Sequence, residues 1–319
     1  GLFEGVDVVI NNHTSSGFST SYGVNGSAVY SVVYTFSGKT AHSAGGPWDG
    51  RSALDAVELM NVATNYLREH LHFTHRMHYV ITDGGEAPNV VPDRASVWYF
   101  LRNTDERLEE MYERVLNCAK GAALATGTEL SEVRVIGAIH QAHENKGLAE
   151  LLYQNIQLVG MPQWTEDEHQ FAKALQKELG KAEKGMPTEL GNLGKPASVY
   201  TGGPSSDHGD VTLVAPTATL RFPGGAAGAA GHHWSTVACG FGSSAWKGVS
   251  AGAKVMAATA VELMTQPESL AKIRKEFEEY SKAHPYKSFL PPDNKPPLDI
   301  YEDLMGRFRP AMEAHYVDP

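Results

Sequence analysis

The side chains best equipped for chemistry in this chain are its histidines, and a few of the fourteen stand in telling places. His13 closes VDVVINNH, a buried-strand pattern, at the end where open α/β sheets place their ligands. His232 and His233 follow the Gly/Ala loop GGAAGAAG, which lets backbone approach a ligand closely. Such a pair suits metal ligation or plain polar surface. Asp207, His208 and Asp210 in SSDHGDV form an acid and imidazole cluster able to orient a ligand or to cap a turn. His42, in GKTAHSAGGPWDGRSALDAVELM, stands apart, with no cysteine or second histidine within metal-ligand spacing.

Three further groups carry possible chemistry. Asn89 lies between Pro88 and Pro92 in a stiff stretch that holds its amide in a fixed direction. Arg102 ends the strand-like VWYFLRN, where a guanidinium can grip a carboxylate bidentately or simply remain an exposed strand-end charge. Ser250 in GVSAG matches the GxSxG nucleophile pattern and so raises a serine hydrolase. That motif needs a preceding strand, however, and here helix-forming residues run through it.

The elements that must position these groups are legible in outline. SAVYSVVYTF reads as a strand and RSALDAVELMNVATNYLREHL as an amphipathic helix. MHYVITDGG and ASVWYFLRN follow as strands, then a helix over 105–126 and the strand LSEVRVIGAIH. The order βαββαβ predicts one sheet with two helices on one face, a self-contained unit over residues 26–141. It is inserted between 1–25 and 142–319, which belong to another α/β domain. Within 142–319, EDEHQFAKALQKELGKAEKG predicts a helix, VTLVAP and TATLRF short strands, and residues 248–264 a further helix. The proline-rich tail is expected to wrap the surface.

Bulk properties narrow the partners. With 27 basic against 37 acidic residues the net charge is −10, which argues against a surface that tracks nucleic-acid phosphates. Cys118 and Cys239 form no CxxC pair or disulfide framework, so a reducing, cytoplasmic setting is expected. The most apolar long run carries Lys254 and Glu262 and predicts a buried helix, not a membrane span. No signal peptide precedes GLFEGVDVVI, which reads as the middle of an α/β domain.

Taken in order, GLFEGVDVVINNH, GKTAHSAGGPWDGRSALDAVE, GGEAPNVVPDRASVWYFLR, SSDHGDV and GHHWSTV resemble one family across essentially the whole chain. It is the co-catalytic metallopeptidase and amidohydrolase family of glutamate carboxypeptidases, aminoacylases and auxin-conjugate hydrolases. The resemblance implies a phosphorylase/hydrolase-like mixed-sheet catalytic domain with an inserted ferredoxin-like lid that pairs with its twin in a homodimer; a second subunit type is a further option. It implies two divalent ions, zinc or manganese, with His13 and His232 among their ligands. It implies His42 as a lid histidine reaching the partner's active site, and Asn89 and Arg102, with Asp207, as contacts to a small amide substrate bearing a carboxylate. The family's remaining ligands and its Glu-Glu pair lie upstream of the segment matching GLFEGVD. This chain alone is therefore expected to be inactive and to retain metal weakly, and a noncatalytic dimerisation or binding fragment is the alternative.

Overall fold

The computed structural model describes residues 1–226, 228–229 and 231–316. In chain order its elements are β1 (Val9–Ser15), β2 (Gly23–Asn25), β3 (Ala28–Ser37), α1 (Ala53–Leu67), β4 (Arg76–Asp83), β5 (Arg94–Asn103), α2 (Asp105–Thr126), β6 (Glu129–Ile139) and β7 (Ala142–Glu144). There follow α3 (Lys146–Val159), α4 (Glu166–Glu178), α5 (His208–Thr212), β8 (Thr217–Pro223), α6 (Trp234–Cys239), α7 (Ser243–Thr265), α8 (Pro267–Ala283) and α9 (Glu302–Glu313). The chain divides into two compact units: Gly1–Ala28 with Ile139–Lys287, and Val29–Ala138 with the segment from Ser288 onward. That last segment groups with the second unit and not with the rest of 142–319.

The second unit is the βαββαβ fold that the sequence predicts. Its sheet runs β4-β5-β3-β6, the ferredoxin-like order, and α1 and α2 pack on each other and on β5. The strand period of two puts Val32, Tyr34 and Phe36 of β3 and Val97, Tyr99 and Leu101 of β5 among the buried residues, as are Met60 of α1 and Met111 of α2. Ser52 starts α1 by accepting the N–H of Asp55, and Gly127 ends α2 in the left-handed region.

The first unit is built on the parallel pair β1 and β8. One face of this pair meets α3 and α7 in an apolar core of Leu148, Leu152, Ala218, Leu220, Ala251 and Val255, with Ile10 and Phe222 packed against it. Helix α7 comes so close to β8 that a Cβ on Gly248 would lie 2.0 Å from the Pro223 carbonyl oxygen, and one on Gly252 3.0 Å from Phe222. The glycines of GVSAG are therefore explained by helix-on-strand packing. Ser250 sits exposed inside the helix, not on a strand-to-helix elbow, so the serine-hydrolase reading is corrected.

The expectation of a strand over VTLVAP is also overturned, because Val211 and Thr212 belong to α5 and a turn follows. Tertiary contacts override the β-branched composition here. Asp210 accepts the His140 N–H at 3.1 Å and the Tyr286 hydroxyl at 3.0 Å, while Thr212 accepts the His143 N–H at 2.9 Å. His143 stacks flat on Tyr280, with centroids 3.4 Å apart. Burial, helped by nearby His284, holds its imidazole down at about 4. A folded-state value below the unfolded one means that the unfolded chain binds the proton first. Stability should fall as pH drops from about 6.5 to about 4, by on the order of 2–3 kcal/mol. Urea titrations of wild type and His143→Gln across that window check this; equal pH slopes would refute it.

Candidate functional site

The strand alternation that buries Ile10, Ala218 and Leu220 turns Asn11, His13, Thr219 and Arg221 to the opposite face. Register places Asn11 beside Thr219 and His13 beside Arg221, and the Asn11 amide donates to Thr219 Oγ1 at 3.2 Å. These four line a cavity of about 390 Å³, closed by residues 25–27, His140, Ala142, residues 204–206 and His208. A polar face on a strand pair whose other face is core is the local signature of a site, since burying polar groups without a use is costly.

His13 is oriented within the cavity wall. Its Nδ1 lies 2.6 Å from the Thr14 carbonyl oxygen, which can only accept, so Nδ1 carries the proton and donates. In the neutral ring Nε2 is left with a lone pair, the tautomer that a ligating or proton-accepting histidine needs. Opposite, His208 is 22% exposed and neither ring nitrogen has a hydrogen-bond partner among the described residues. Its Nε2 lies 3.7 Å from Oε1 of Glu144, whose side chain is fully buried and whose other oxygen accepts from Ser21 Oγ at 3.2 Å. Glu144 stands behind His208 and does not line the cavity.

The acid and imidazole cluster thus separates into three tasks. His208 faces the cavity, and Asp210 ties α5 to the link before β7. Asp207 is exposed at the start of α5 and accepts from Ser206 Oγ at 3.2 Å, beside the cavity without lining it. His233 caps α6, its Nδ1 accepting the Ser235 N–H at 3.3 Å. His232 is exposed, lies outside the cavity lining and has φ 57°, alone among the described non-glycine residues in the left-handed region. That conformation costs a non-glycine residue about 1–2 kcal/mol, a strain of the kind that collects at functional sites.

Among the described residues no three His, Cys, Asp or Glu side chains converge to hold a metal ion. His13 and His232 alone are too few donors for a tight site. By themselves the described donors do not complete a metal centre.

In the second unit the structure joins two residues that are far apart in sequence. The turn after His42 is stitched to the Asn89 segment, with Ser43 N donating to Asn89 O at 3.0 Å and His42 bridging to Val90. The imidazole is fixed by its own turn: Nδ1 accepts the N–H groups of Ala44 and Gly45, each at 3.1 Å. Nδ1 being an acceptor, the neutral ring carries its proton on Nε2 and offers a donor outward. Arg102 lies at the other end of β5, paired in register with Arg76 and with its guanidinium 5.5 Å from the Phe100 ring centroid. It is not brought to His42 and Asn89 within one chain's lid, because a ten-residue strand spans roughly 30 Å.

Sequence reasoning missed Asn11, Glu144, Thr219 and Arg221 as site residues. The signal that was available is the period-two placing of polar residues in INNH and TLRF.

A ferredoxin-like unit inserted into an α/β unit with a polar cavity on its parallel strand pair defines a class. Residues 22–124 match the M20 peptidase dimerisation domain. The chain belongs to the M20 family of peptidases and amidohydrolases, a family of hydrolases. It is 34% identical to a subunit of the p-aminobenzoyl-glutamate hydrolase of Escherichia coli K12, over 93% of this chain and 66% of that one. To the Xaa-Arg dipeptidase of Homo sapiens it is 27% identical, over 87% of this chain and 56% of that one. The solved structure of AtUAH with (S)-hydroxyglycine shares the fold, with TM-score 0.52 and 15% identity, covering 83% of this chain and 53% of that one. The chain spans about two thirds or less of the length of these relatives.

Proposed function

We propose that the whole protein hydrolyses the amide bond of an N-acyl amino acid or aminobenzoyl-glutamate-like substrate. The observation that carries this reading is the cavity on the polar face of β1 and β8, with the His13 ring held in a single tautomer at its wall. Names among the relatives support the substrate class, since E. coli K12 has the aminobenzoyl-glutamate hydrolase and Enterobacter agglomerans an indole-3-acetyl-aspartic acid hydrolase. On this reading Asn89 and Arg102 hold the substrate's carbonyl and carboxylate, Asp207 steadies the loop at the cavity mouth, and the Nε2–H of His42 meets the carbonyl oxygen as it gains charge. Zinc or manganese dependence, with His13 and His232 as ligands, belongs to the same proposal. The free Nε2 lone pair of His13 and the strained backbone of His232 support it, and such a centre needs donors beyond these two. The test is amine release from N-acyl-glutamate by the full-length protein. Turnover should be lost on chelation and restored by zinc or manganese; turnover indifferent to chelator would refute the metal-dependent reading.

The family match to a dimerisation domain supports a homodimer through the lid. In that unit β4 is an edge strand, and Val80 and Ile81 are exposed on it although apolar. Val80→Lys should shift the full-length protein towards monomer in sedimentation. An unchanged dimer fraction would place the interface elsewhere.

A further inference from the structure

The cavity lining includes a cationic side chain, Arg221, for which hydrolysis at His13 gives no role. Arg221 is half-buried on β8, and its guanidinium makes no hydrogen bond or ion pair among the described residues. Ser205 Oγ and both ring nitrogens of His208 are buried there and equally without a hydrogen-bond partner. Among the described residues no aspartate or glutamate lines the cavity. Glu144 is fully buried behind His208, its Oε1 3.7 Å from His208 Nε2, and makes no ion pair with Arg221 among the described residues. Unpaired buried polar atoms are costly unless a ligand satisfies them. Donors from an arginine, an imidazole and a hydroxyl around one space free of carboxylates call for an anion with several acceptor oxygens.

We infer that Arg221, His208 and Ser205 form a carboxylate subsite in this cavity, one that selects substrates carrying a second carboxylate besides the one beside the scissile amide. The inference rests on the amide-hydrolase reading for its substrate, but the subsite itself stands on the geometry. Arg221 supplies two N–H groups to the carboxylate in the bidentate manner that only a guanidinium offers. His208 is oriented by Glu144 and supplies a further N–H, and Ser205 a hydroxyl. A neutral amide in place of that carboxylate presents N–H groups to donors that already lack acceptors, so it is rejected.

Two measurements on the full-length protein test this. Calorimetry with glutarate and with glutaramate, its singly amidated analogue, should show glutarate binding at least about 10-fold tighter to wild type. Arg221→Gln should abolish that preference, Arg221→Lys should retain part of it, and His208→Asn should weaken it. In turnover, the ratio of kcat/KM for N-acyl-glutamate to that for N-acyl-glutamine should fall by a similar factor in Arg221→Gln. A glutarate preference that survives in both Arg221→Gln and His208→Asn overturns the subsite, whether or not the protein hydrolyses amides. A preference that depends on Arg221 in a protein without turnover upholds the subsite and refutes the hydrolase reading. Should Arg221→Gln fail to fold, His208→Asn and Arg221→Lys decide the same question.

Discussion

His42→Ala in the full-length protein should lower kcat on N-acyl-glutamate by on the order of 10² to 10³, with the thermal unfolding midpoint unchanged. The size follows from what the side chain offers. Two backbone N–H groups hold Nδ1 as an acceptor, so the ring presents Nε2–H already aimed, with no reorganisation when charge develops on a carbonyl oxygen. A preorganised donor of that kind acts on the charged tetrahedral species and hardly on the neutral ground state, so the loss should fall on kcat more than on KM. The unchanged stability follows from exposure. His42 is outside the lid core, and the turn keeps its Gly46 N to His42 O bond at 3.0 Å whatever the side chain. A variant with wild-type kcat would remove His42 from the reaction.

Gly248→Ala should destabilise the first unit by about 3 kcal/mol or more, although helix propensity alone favours alanine by about 1 kcal/mol. The added Cβ would meet the Pro223 carbonyl oxygen at 2.0 Å and Gly224 N at 3.0 Å. Both are backbone atoms, at the last residue of β8 and the one after it, so no flexible side chain can yield. The steric cost therefore exceeds the propensity gain, and α7 can keep its helix only by backing away from β8. Gly121→Ala makes the contrast. It lies in α2 with nothing within 4 Å of the new Cβ, and should be neutral or stabilise by up to about 1 kcal/mol. Denaturant unfolding of both variants checks the pair. Equal effects would mean that the approach of α7 to β8 is not a constraint.

The inserted unit was legible because its information is local. Alternating β-branched and aromatic residues in β3 and β5, and the three-and-four spacing in α1 and α2, each specify an element and the face it buries. The GVSAG pattern could be set aside for the same reason, since helix formers surround Ser250. The cavity was less legible because it is assembled from distant segments. Asn11 and Thr219 are 208 residues apart, and neither stands out until β1 and β8 are paired. Nothing in the local sequence singles out Arg221 or Glu144. Only the fold shows one without an acid and the other fully buried behind His208. The segment VTLVAP misled because its helix is fixed by Asp210 and Thr212 reaching back to residues about 70 positions earlier.

The hydrolase reading places the reaction in the cavity at His13, and the most direct measurement is amine release from N-acyl-glutamate by full-length wild type and by His13→Ala. His13 is an exposed side chain whose ring bonds to its neighbour's carbonyl, so the variant should keep its fold and its unfolding midpoint. Its turnover should fall below about one-hundredth of wild type, as expected for a group that touches the reacting atoms. A folded His13→Ala protein that releases amine at the wild-type rate would contradict the assignment of this cavity as the active site.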